Sequence, residues 1–300
     1  MKKRIAFLVA LLATLAAVLI YQVTRPPVYE PVDLFKFERK VFSQGGEDGV
    51  LDKIFEVIPP TRRFVVEFGC SDGVTYSSSR NLIVNHGWSG LLMDGDHEAI
   101  EKARKAYEKY PSVKVAEEWI YPGNVETLFE KYGVPRDLDL LVIDIDSNDY
   151  YVWKVIHEYR PKVVMMEYNP GFAPPQKAVV QFHPLNYWDH SDYYGASLQS
   201  LYELNKRKGY EMVYGTFGGL NAFFVDATYY PRFGLPDNSP ARFYRPPLYG
   251  VDRGGRAPNG RGHPPWDTWE EMRDGQVVKP YAGDLTWKEV RIPKHFVPLP

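Results

Sequence analysis

The chain has 300 residues, of which 44% are hydrophobic and 25% charged, so it has enough apolar material for one sizeable core and is neither disordered nor fibrous. Its 36 basic and 38 acidic side chains leave a formal net charge of -2, which provides no field that would draw the chain onto nucleic acid. The single cysteine excludes an internal disulfide and a cysteine-rich zinc module.

The N-terminus carries a basic stretch followed by an apolar one. Residues 2–4 are basic, and residues 5–20 contain one polar side chain, Thr14. A membrane-spanning helix needs about 20 residues, whereas the apolar region of a signal peptide needs about 7–15. The run can be extended to residue 23 with no small-residue cleavage site after it, which predicts an uncleaved single-pass membrane anchor over residues 1–23. A cleaved signal peptide is the alternative, and basic residues on both sides leave the orientation open.

Three further regions follow the predicted anchor. Residues 24–41 contain prolines that break regular structure and are interpreted as a linker. Residues 42–230 have the periodicity of a folded domain. In residues 231–300 Pro and Gly recur without sustained periodicity, and basic residues alternate with aromatic ones. This extension is either a lid or arm for an anionic substrate, or a solvated arm that packs its aromatic side chains on the domain.

Within the domain, short apolar runs of β type alternate with amphipathic helical stretches. The predicted elements in chain order are a helix over 50–58, a strand over 64–68, a helix over 81–84, a strand over 91–93, a helix over 98–110, a strand over 113–115, a helix over 125–132, a strand over 140–145, a helix over 150–159, a strand over 162–166, a helix over 196–207, and strands over 210–214 and 222–225. This alternation predicts an α/β fold with a parallel sheet covered by helices. The last two strands are expected to form a hairpin through Gly218 and Gly219.

The first predicted strand, residues 64–68, runs into a turn of small residues. Gly69 and Gly73 let the backbone turn tightly and approach a ligand at the carboxyl end of a strand, where open α/β folds bind ligands. The turn lacks the dinucleotide fingerprint, because Ser71 stands at the second glycine position and Asp72 places a negative charge where a pyrophosphate would lie. A cationic nucleoside without phosphate tolerates these acids, and S-adenosylmethionine fits that description.

An acidic residue ends the second predicted strand. Asp94 can accept hydrogen bonds from both ribose hydroxyls of a nucleoside. After the third strand, Glu117 or Glu118 lies where the adenine edge is expected, and Trp119 is available for stacking. The alternative is a structural glycine turn with no ligand.

These segments resemble the FkbM-type class I S-adenosylmethionine-dependent methyltransferases over roughly residues 42–226. The resemblance is carried by SQGGEDG at 43–49, VEFGCSDG at 66–73, GWSGLLMDG at 87–95, DIDSNDY at 144–150 and YGASL at 194–198. It implies a mostly parallel seven-stranded sheet with an antiparallel last strand, and O-methylation of sugars or related hydroxylated metabolites. The predicted cofactor-binding residues are Gln44, Glu67, Gly69, Cys70, Ser71, Gly73, Asp94, Glu118 and Asp144.

Methyl transfer to a hydroxyl requires a group that orients the hydroxyl and removes its proton. Asp144 and Asp146 lie where the fourth strand ends, and Glu167 and Asn169 lie at the equivalent end of the fifth, so adjacent parallel strands bring these side chains together. Asp146, Glu167 and Asn169 are a candidate Mg²⁺ site that would lower the pKa of the hydroxyl. In the alternative no metal binds, Asp144 orients the cofactor, and Asp146 with Asp149 caps the next helix.

Without a metal, a side chain must act as the base. His183 and His190 flank Tyr187 and Trp188 in an aromatic loop suited to stacking on a carbohydrate. The alternative for either histidine is a surface position with no chemical role. The predicted catalytic residues are Asp144, Asp146, His183 and His190.

The leading hypothesis is a membrane-anchored S-adenosylmethionine-dependent O-methyltransferase that acts on a sugar, glycan, glycolipid or small hydroxylated acceptor. One alternative is a non-catalytic scaffold that retains the fold. The other is a divalent-metal-dependent enzyme that uses Asp144, Asp146 and Asp149 without S-adenosylmethionine. The composition predicts no nucleic-acid partner and leaves the oligomeric state open.

Overall fold

A computed structural model of the chain describes Thr14 and residues 27–188 and 193–246. The chain divides into two compact units, residues 1–30 and residues 31–300, and the predicted methyltransferase-like domain lies in the second. The predicted anchor apart from Thr14, the histidine at position 190 and the extension beyond residue 246 lie outside the described residues.

The membrane prediction requires a correction. Among helices of the described residues, none has both the length and the apolarity needed to cross a bilayer. This finding contradicts the predicted single-pass membrane localisation, which we withdraw.

A seven-stranded sheet forms the centre of the domain. The strands are β1 Phe64–Phe68, β2 Ser89–Asp94, β3 Val113–Glu117, β4 Leu140–Ile143, β5 Val163–Glu167, β6 Tyr210–Gly215 and β7 Asn221–Asp226. Their order across the sheet is β3-β2-β1-β4-β5-β7-β6. Strands β1 to β5 pair in parallel, and β7 is antiparallel to both β5 and β6. The predicted sheet, with its antiparallel last strand and closing hairpin, is therefore confirmed.

Helices and two 3-10 turns cover and connect the strands. The helices are α1 Glu47–Val57, α2 Arg80–His86, α3 His97–Tyr107, α4 Val125–Tyr132, α5 Asp149–Val155, α6 Leu198–Arg207 and α7 Pro240–Phe243, and the 3-10 turns are Leu34–Phe37 and Tyr230–Phe233. As predicted, α2 and α4 end at left-handed glycines, Gly87 and Gly133. Asp96 caps α3 by accepting the Ala99 N–H at 2.8 Å.

Helix α5 is shorter than the sequence predicts. It ends at Val155, four residues before the expected end at Tyr159. The carboxylate of Glu126 accepts the backbone N–H groups of His157 and Glu158, both at 2.7 Å. These two N–H groups are therefore bonded to a residue of α4 instead of to the carbonyl groups of the preceding turn of α5.

The packed region extends beyond both predicted boundaries of the domain. Leu34, in the predicted linker, is buried, and the backbone of Arg39 pairs with Gly46 and Gly49. At the other end, Phe243 is buried and the Tyr244 hydroxyl donates to the Pro170 carbonyl at 2.7 Å. The described start of the extension thus packs its aromatic side chains on the domain.

Candidate functional site

The bend between β1 and α2 is built on left-handed backbone. Gly69, Ser71 and Gly73 have φ angles of 68°, 47° and 66°. The N–H groups of Gly69 and Cys70 both donate to the Met93 carbonyl, at 2.9 and 3.2 Å, which fixes the bend against the end of β2. A Cβ on Gly69 would lie 1.6 Å from the carbonyl oxygen of Asp144. Glycine is therefore required where the chain leaving β1 touches the chain leaving β4.

Replacing Gly69 with alanine is expected to destabilise the chain by at least about 3 kcal/mol, because it combines left-handed strain with a backbone collision. Gly87→Ala is the matched control, since Gly87 also has a φ of 68° but has open space around its Cβ position. The control should lose only about 1 kcal/mol. Denaturant unfolding measures both, and equal losses would show that the β1–β4 approach has no special requirement.

Asp94 lies against this bend. Its two carboxylate oxygens accept the N–H groups of Ser71 at 2.8 Å and Asp96 at 2.9 Å. Burial raises the pKa of Asp94, and the two backbone hydrogen bonds oppose that rise. Gly95 follows directly, and the Trp119 ring lies 2.6 Å from the position of a Cβ there. The structure thus places the predicted ribose ligand and the predicted stacking ring at one corner of the bend.

The ends of β4 and β5 bring three carboxylates together. Asp144, Asp146 and Glu167 can each offer one oxygen such that all three lie within 4.8 Å of one another. Asp146 has a left-handed φ of 60°, which is unusual for a residue with a side chain. This group has the hard oxygen ligands that Mg²⁺ prefers.

The pKa of Asp144 lies well above its usual range. Burial is the first cause, and the remaining causes are the negative charges of Asp146, Asp149, Glu67 and Glu47. Among the described residues, Asp144 has no hydrogen-bond or ion-pair partner for its carboxylate. Asp144 is therefore a buried acid among other acids, and no described residue pairs with its carboxylate.

Two side chains that the sequence places at this edge form hydrogen bonds with backbone groups of the chain. Asp149 accepts the N–H groups of Ile145 at 2.8 Å and Ser147 at 2.9 Å, and so holds the loop after β4. The buried amide of Asn169 donates to the Tyr194 carbonyl at 3.0 Å and accepts the Gly171 N–H at 2.9 Å. Asp144 therefore joins the predicted ligands Asp146 and Glu167 at this edge, and Asn169 stays a predicted ligand.

Glu67 and Glu118 also have partners within the fold. Glu67 is buried and accepts hydrogen bonds from the Ser77 and Ser79 hydroxyls and the Ser78 N–H, which fixes the chain leading into α2. Burial raises the pKa of Glu67 against these three hydrogen bonds. Glu118 bonds to Lys131 at 2.5 Å and to the Tyr132 hydroxyl at 2.6 Å, at the end of α4.

Two other predicted cofactor residues differ in exposure. Gln44 is exposed just before α1. Cys70 is buried, and burial together with nearby acids raises the pKa of its thiol well above the usual value. A protonated, buried thiol is a poor nucleophile, so Cys70 serves as a small side chain in the bend.

The loop that contains His183 is tied to the loop after β4. Asn148 Nδ2 donates to the His183 carbonyl at 2.9 Å, and Ser147 Oγ donates to the Asn186 carbonyl at 2.9 Å. His183 Nδ1 accepts the Leu185 N–H at 3.2 Å, and burial lowers the pKa of the ring. The imidazole is therefore neutral near pH 7. Trp119 fastens the same loop by donating its indole N–H to the Pro184 carbonyl at 2.9 Å.

Sequence reasoning did not single out Glu47, which lies at the start of α1. Its carboxylate is buried, accepts the Asn221 amide at 2.9 Å and the Gly45 N–H at 2.7 Å, and helps to raise the pKa of Asp144. The available signal was the pair of acids, Glu47 and Asp48, at the head of an otherwise apolar helical stripe.

No protein-family model matches the chain, and no curated protein matches it either, so the FkbM assignment stays a prediction. Among solved structures, the N-terminal domain of EvdMO1, crystallised with SAH and D-fucose, is 13% identical. The match covers 67% of this chain and 91% of that one, with a TM-score of 0.40. A SAM-dependent methyltransferase from Clostridium acetobutylicum is 10% identical, with 71% and 98% covered and a TM-score of 0.39. The citrinin polyketide synthase CMeT domain is 14% identical, with 60% and 51% covered and a TM-score of 0.39. Likenesses of this degree carry no conclusion about the activity of this chain.

Proposed function

We propose that the carboxyl edge of the sheet binds S-adenosylmethionine and that the chain transfers its methyl group to a hydroxyl of an acceptor. The observation that carries this proposal is the carboxylate of Asp144, which lies among the acids Asp146, Asp149, Glu67 and Glu47, has its pKa raised by burial and by their charges, and has no ion-pair partner among the described residues. Such a site favours a ligand with positive charge, whereas a pyrophosphate would be repelled. S-adenosylmethionine carries a sulfonium and an ammonium group and no phosphate.

The geometry of the bend supports a nucleoside at the same edge. Each oxygen of Asp94 accepts one backbone N–H, and a carboxylate has about four acceptor positions, so two remain for ribose hydroxyls. Gly69 and Gly73 allow close approach of the backbone, and Trp119 offers an aromatic face beside Asp94. Asp144 would face the cationic end of the cofactor.

The acceptor side of the site is the loop tied to Ser147 and Asn148. Tyr187 and Trp188 in this loop are half-buried aromatic residues, a composition that suits stacking on a sugar ring. Asp144 and Asp146 are close carboxylates, and burial together with the charge of Asp146 raises the pKa of Asp144, which suits Asp144 to take the proton of the acceptor hydroxyl. When bound, S-adenosylmethionine supplies the electrophilic methyl group. We therefore propose O-methylation of a sugar or a related hydroxylated molecule.

Calorimetric titration of the full chain with S-adenosylmethionine and with S-adenosylhomocysteine tests the cofactor step. We expect the sulfonium form to bind more tightly, because the edge is acidic. Transfer of a radiolabelled methyl group to a panel of mono- and oligosaccharides then tests the reaction. A folded chain that binds neither compound, with or without Mg²⁺, would contradict the proposal.

A divalent-metal-dependent enzyme is the second candidate, favoured by the three carboxylate oxygens within 4.8 Å. If a metal binds there, Mg²⁺ titration should give a saturable heat that Glu167→Gln reduces at least about tenfold, because a hard ligand is lost. Glu203→Gln, on α6, is the control and should leave the heat unchanged. Mg²⁺ binding without any S-adenosylmethionine binding would favour this candidate, and the absence of a heat would exclude it.

A further inference from the structure

A cavity of about 500 Å³ lies at the opposite edge of the sheet from the proposed cofactor site. It is lined by the ends of α5 and α6 and by the residues that begin β6. Tyr210 is the first residue of β6, and Arg160 shortly precedes β5, so the cavity lies at the amino ends of the parallel strands. Asp94 and Asp144 follow the carboxyl ends of their strands.

The cavity wall is strongly basic. Its lining includes Lys154, Arg160, Arg207 and Lys208, and no aspartate or glutamate is among the described residues that line it. Arg160 is neutralised by Asp226, with the two side chains 2.6 Å apart. Lys154 and Lys208 have no ion-pair partner among the described residues, and Arg207 donates to the Tyr150 hydroxyl at 3.2 Å.

The capping of helix C-termini explains the presence of only some of the basic side chains in the cavity wall. Basic side chains near a helix C-terminus are stabilised by the terminal carbonyl groups. Lys208 follows this rule, because its ammonium donates to the Ile156 carbonyl and lies 4.2 Å from the centre of the Trp153 ring. Lys154 does not, since it makes no hydrogen bond or ion pair with any residue that the structure describes, although it is half-buried.

Holding these charges together is unfavourable in the absence of an anion. Burial lowers the pKa of Lys154, and the charge of Arg207 lowers it further. Burial lowers the pKa of Lys208 to about 8, with Arg160 adding to the effect and Glu126 opposing it. On the same helix as Arg207, Lys206 is paired with an acid, Glu211, at 2.5 Å. The basic lining of the cavity is therefore suited to bind a negatively charged ligand.

We propose that this cavity binds the phosphate group of a small molecule through Lys154 and Lys208, at a site separate from the proposed S-adenosylmethionine site. Two ammonium groups without an ion-pair partner match the charge of a doubly charged phosphate. The volume lies within the range of about 300–1,000 Å³ that is usual for small-molecule sites, which favours a small ligand over a macromolecule.

Calorimetric titration of the full chain with inorganic phosphate, phenyl phosphate and acetate tests the proposal. Inorganic phosphate should bind with a Kd of about 0.01–1 mM, as a few charge-assisted contacts give, and acetate more weakly. Tighter binding of phenyl phosphate would identify a phosphate ester as the ligand, because the rings of Trp153 and Tyr210, which line the cavity, would then contribute to the affinity. Equal binding of both phosphates would identify the free ion. Binding no stronger than that of acetate would overturn the proposal.

Lys154→Met is the decisive variant, because it keeps the length of the side chain and removes the unpaired charge. It should raise the Kd for phosphate at least tenfold, leave S-adenosylmethionine affinity unchanged, and raise the melting temperature without ligand. Lys105→Met is the matched control, since Lys105 also lies in the last turn of a helix but is exposed on α3. Unchanged phosphate affinity in Lys154→Met, or a lower melting temperature with wild-type affinity, would assign Lys154 a purely structural role and overturn the proposal.

Discussion

Asp94→Ala is expected to lower the affinity of the full chain for S-adenosylmethionine at least about 100-fold. A carboxylate that accepts two ribose hydroxyls makes two charge-assisted hydrogen bonds, each worth about 1.5–3 kcal/mol, and about 1.4 kcal/mol corresponds to a factor of ten. The same change removes the acceptor of the Ser71 N–H, so the bend also loses its tie to β2. Calorimetric titration measures the affinity directly.

Asp96→Ala is the matched control for this prediction. Asp96 lies two residues further along the same turn, and its carboxylate caps α3 through the Ala99 N–H instead of facing the bend. The Asp96→Ala substitution should therefore lower the free energy of unfolding by about 1 kcal/mol, as the loss of a helix cap does, and change the affinity for S-adenosylmethionine little. If both variants bind S-adenosylmethionine equally well, Asp94 is not the ribose ligand and the nucleoside lies elsewhere.

The sheet and its order of elements could be predicted because local signals fix them. Residues 64–68 and 140–143 are short buried apolar runs, which in an alternating α/β pattern are strands of a parallel sheet. Gly87 and Gly133 mark helix ends because a left-handed residue there costs glycine little. The position of the bend at residues 69–73 follows from the same reasoning, since it lies where a buried strand meets glycines.

The assignment of roles within the site could not be predicted to the same degree, because side-chain partners come from distant parts of the chain. Glu67 lies in β1 as expected, but three serines ten to twelve residues later donate hydrogen bonds to its carboxylate. The amide of Asn169, predicted as a metal ligand by residue type, also hydrogen-bonds to the backbone of Tyr194 and Gly171. Helix α5 stops early because of Glu126, which is 31 residues away from His157. Each of these outcomes depends on tertiary contacts that no local pattern encodes.

Asp144→Asn is expected to have opposite effects on stability and on cofactor affinity. The pKa of Asp144 is raised, so the folded chain binds this proton more tightly than the unfolded chain does. The corresponding stability is fully present below the ordinary aspartate pKa of about 3.9 and is lost as the pH rises through the higher folded value. Above that folded value the wild type carries a buried charge that asparagine does not have. Once the wild-type carboxylate is ionised, the variant should melt about 2–4 °C higher, which corresponds to about 1 kcal/mol in a chain of this size, and it should bind S-adenosylmethionine at least about tenfold more weakly.

Melting curves from pH 4 to pH 8 separate this charge effect from a packing effect. The difference between Asp144→Asn and the wild type should be near zero at the acid end and grow as the wild-type carboxylate ionises. Asp149→Asn is the contrasting control, because the pKa of Asp149 is also raised by burial but its two oxygens accept the Ile145 and Ser147 N–H groups. That variant should be less stable than the wild type, since an amide nitrogen would face a backbone donor. If Asp144→Asn is also destabilised at pH 7, a partner already neutralises the Asp144 charge in the folded chain, and the electrostatic reason for a cationic cofactor at this edge is removed.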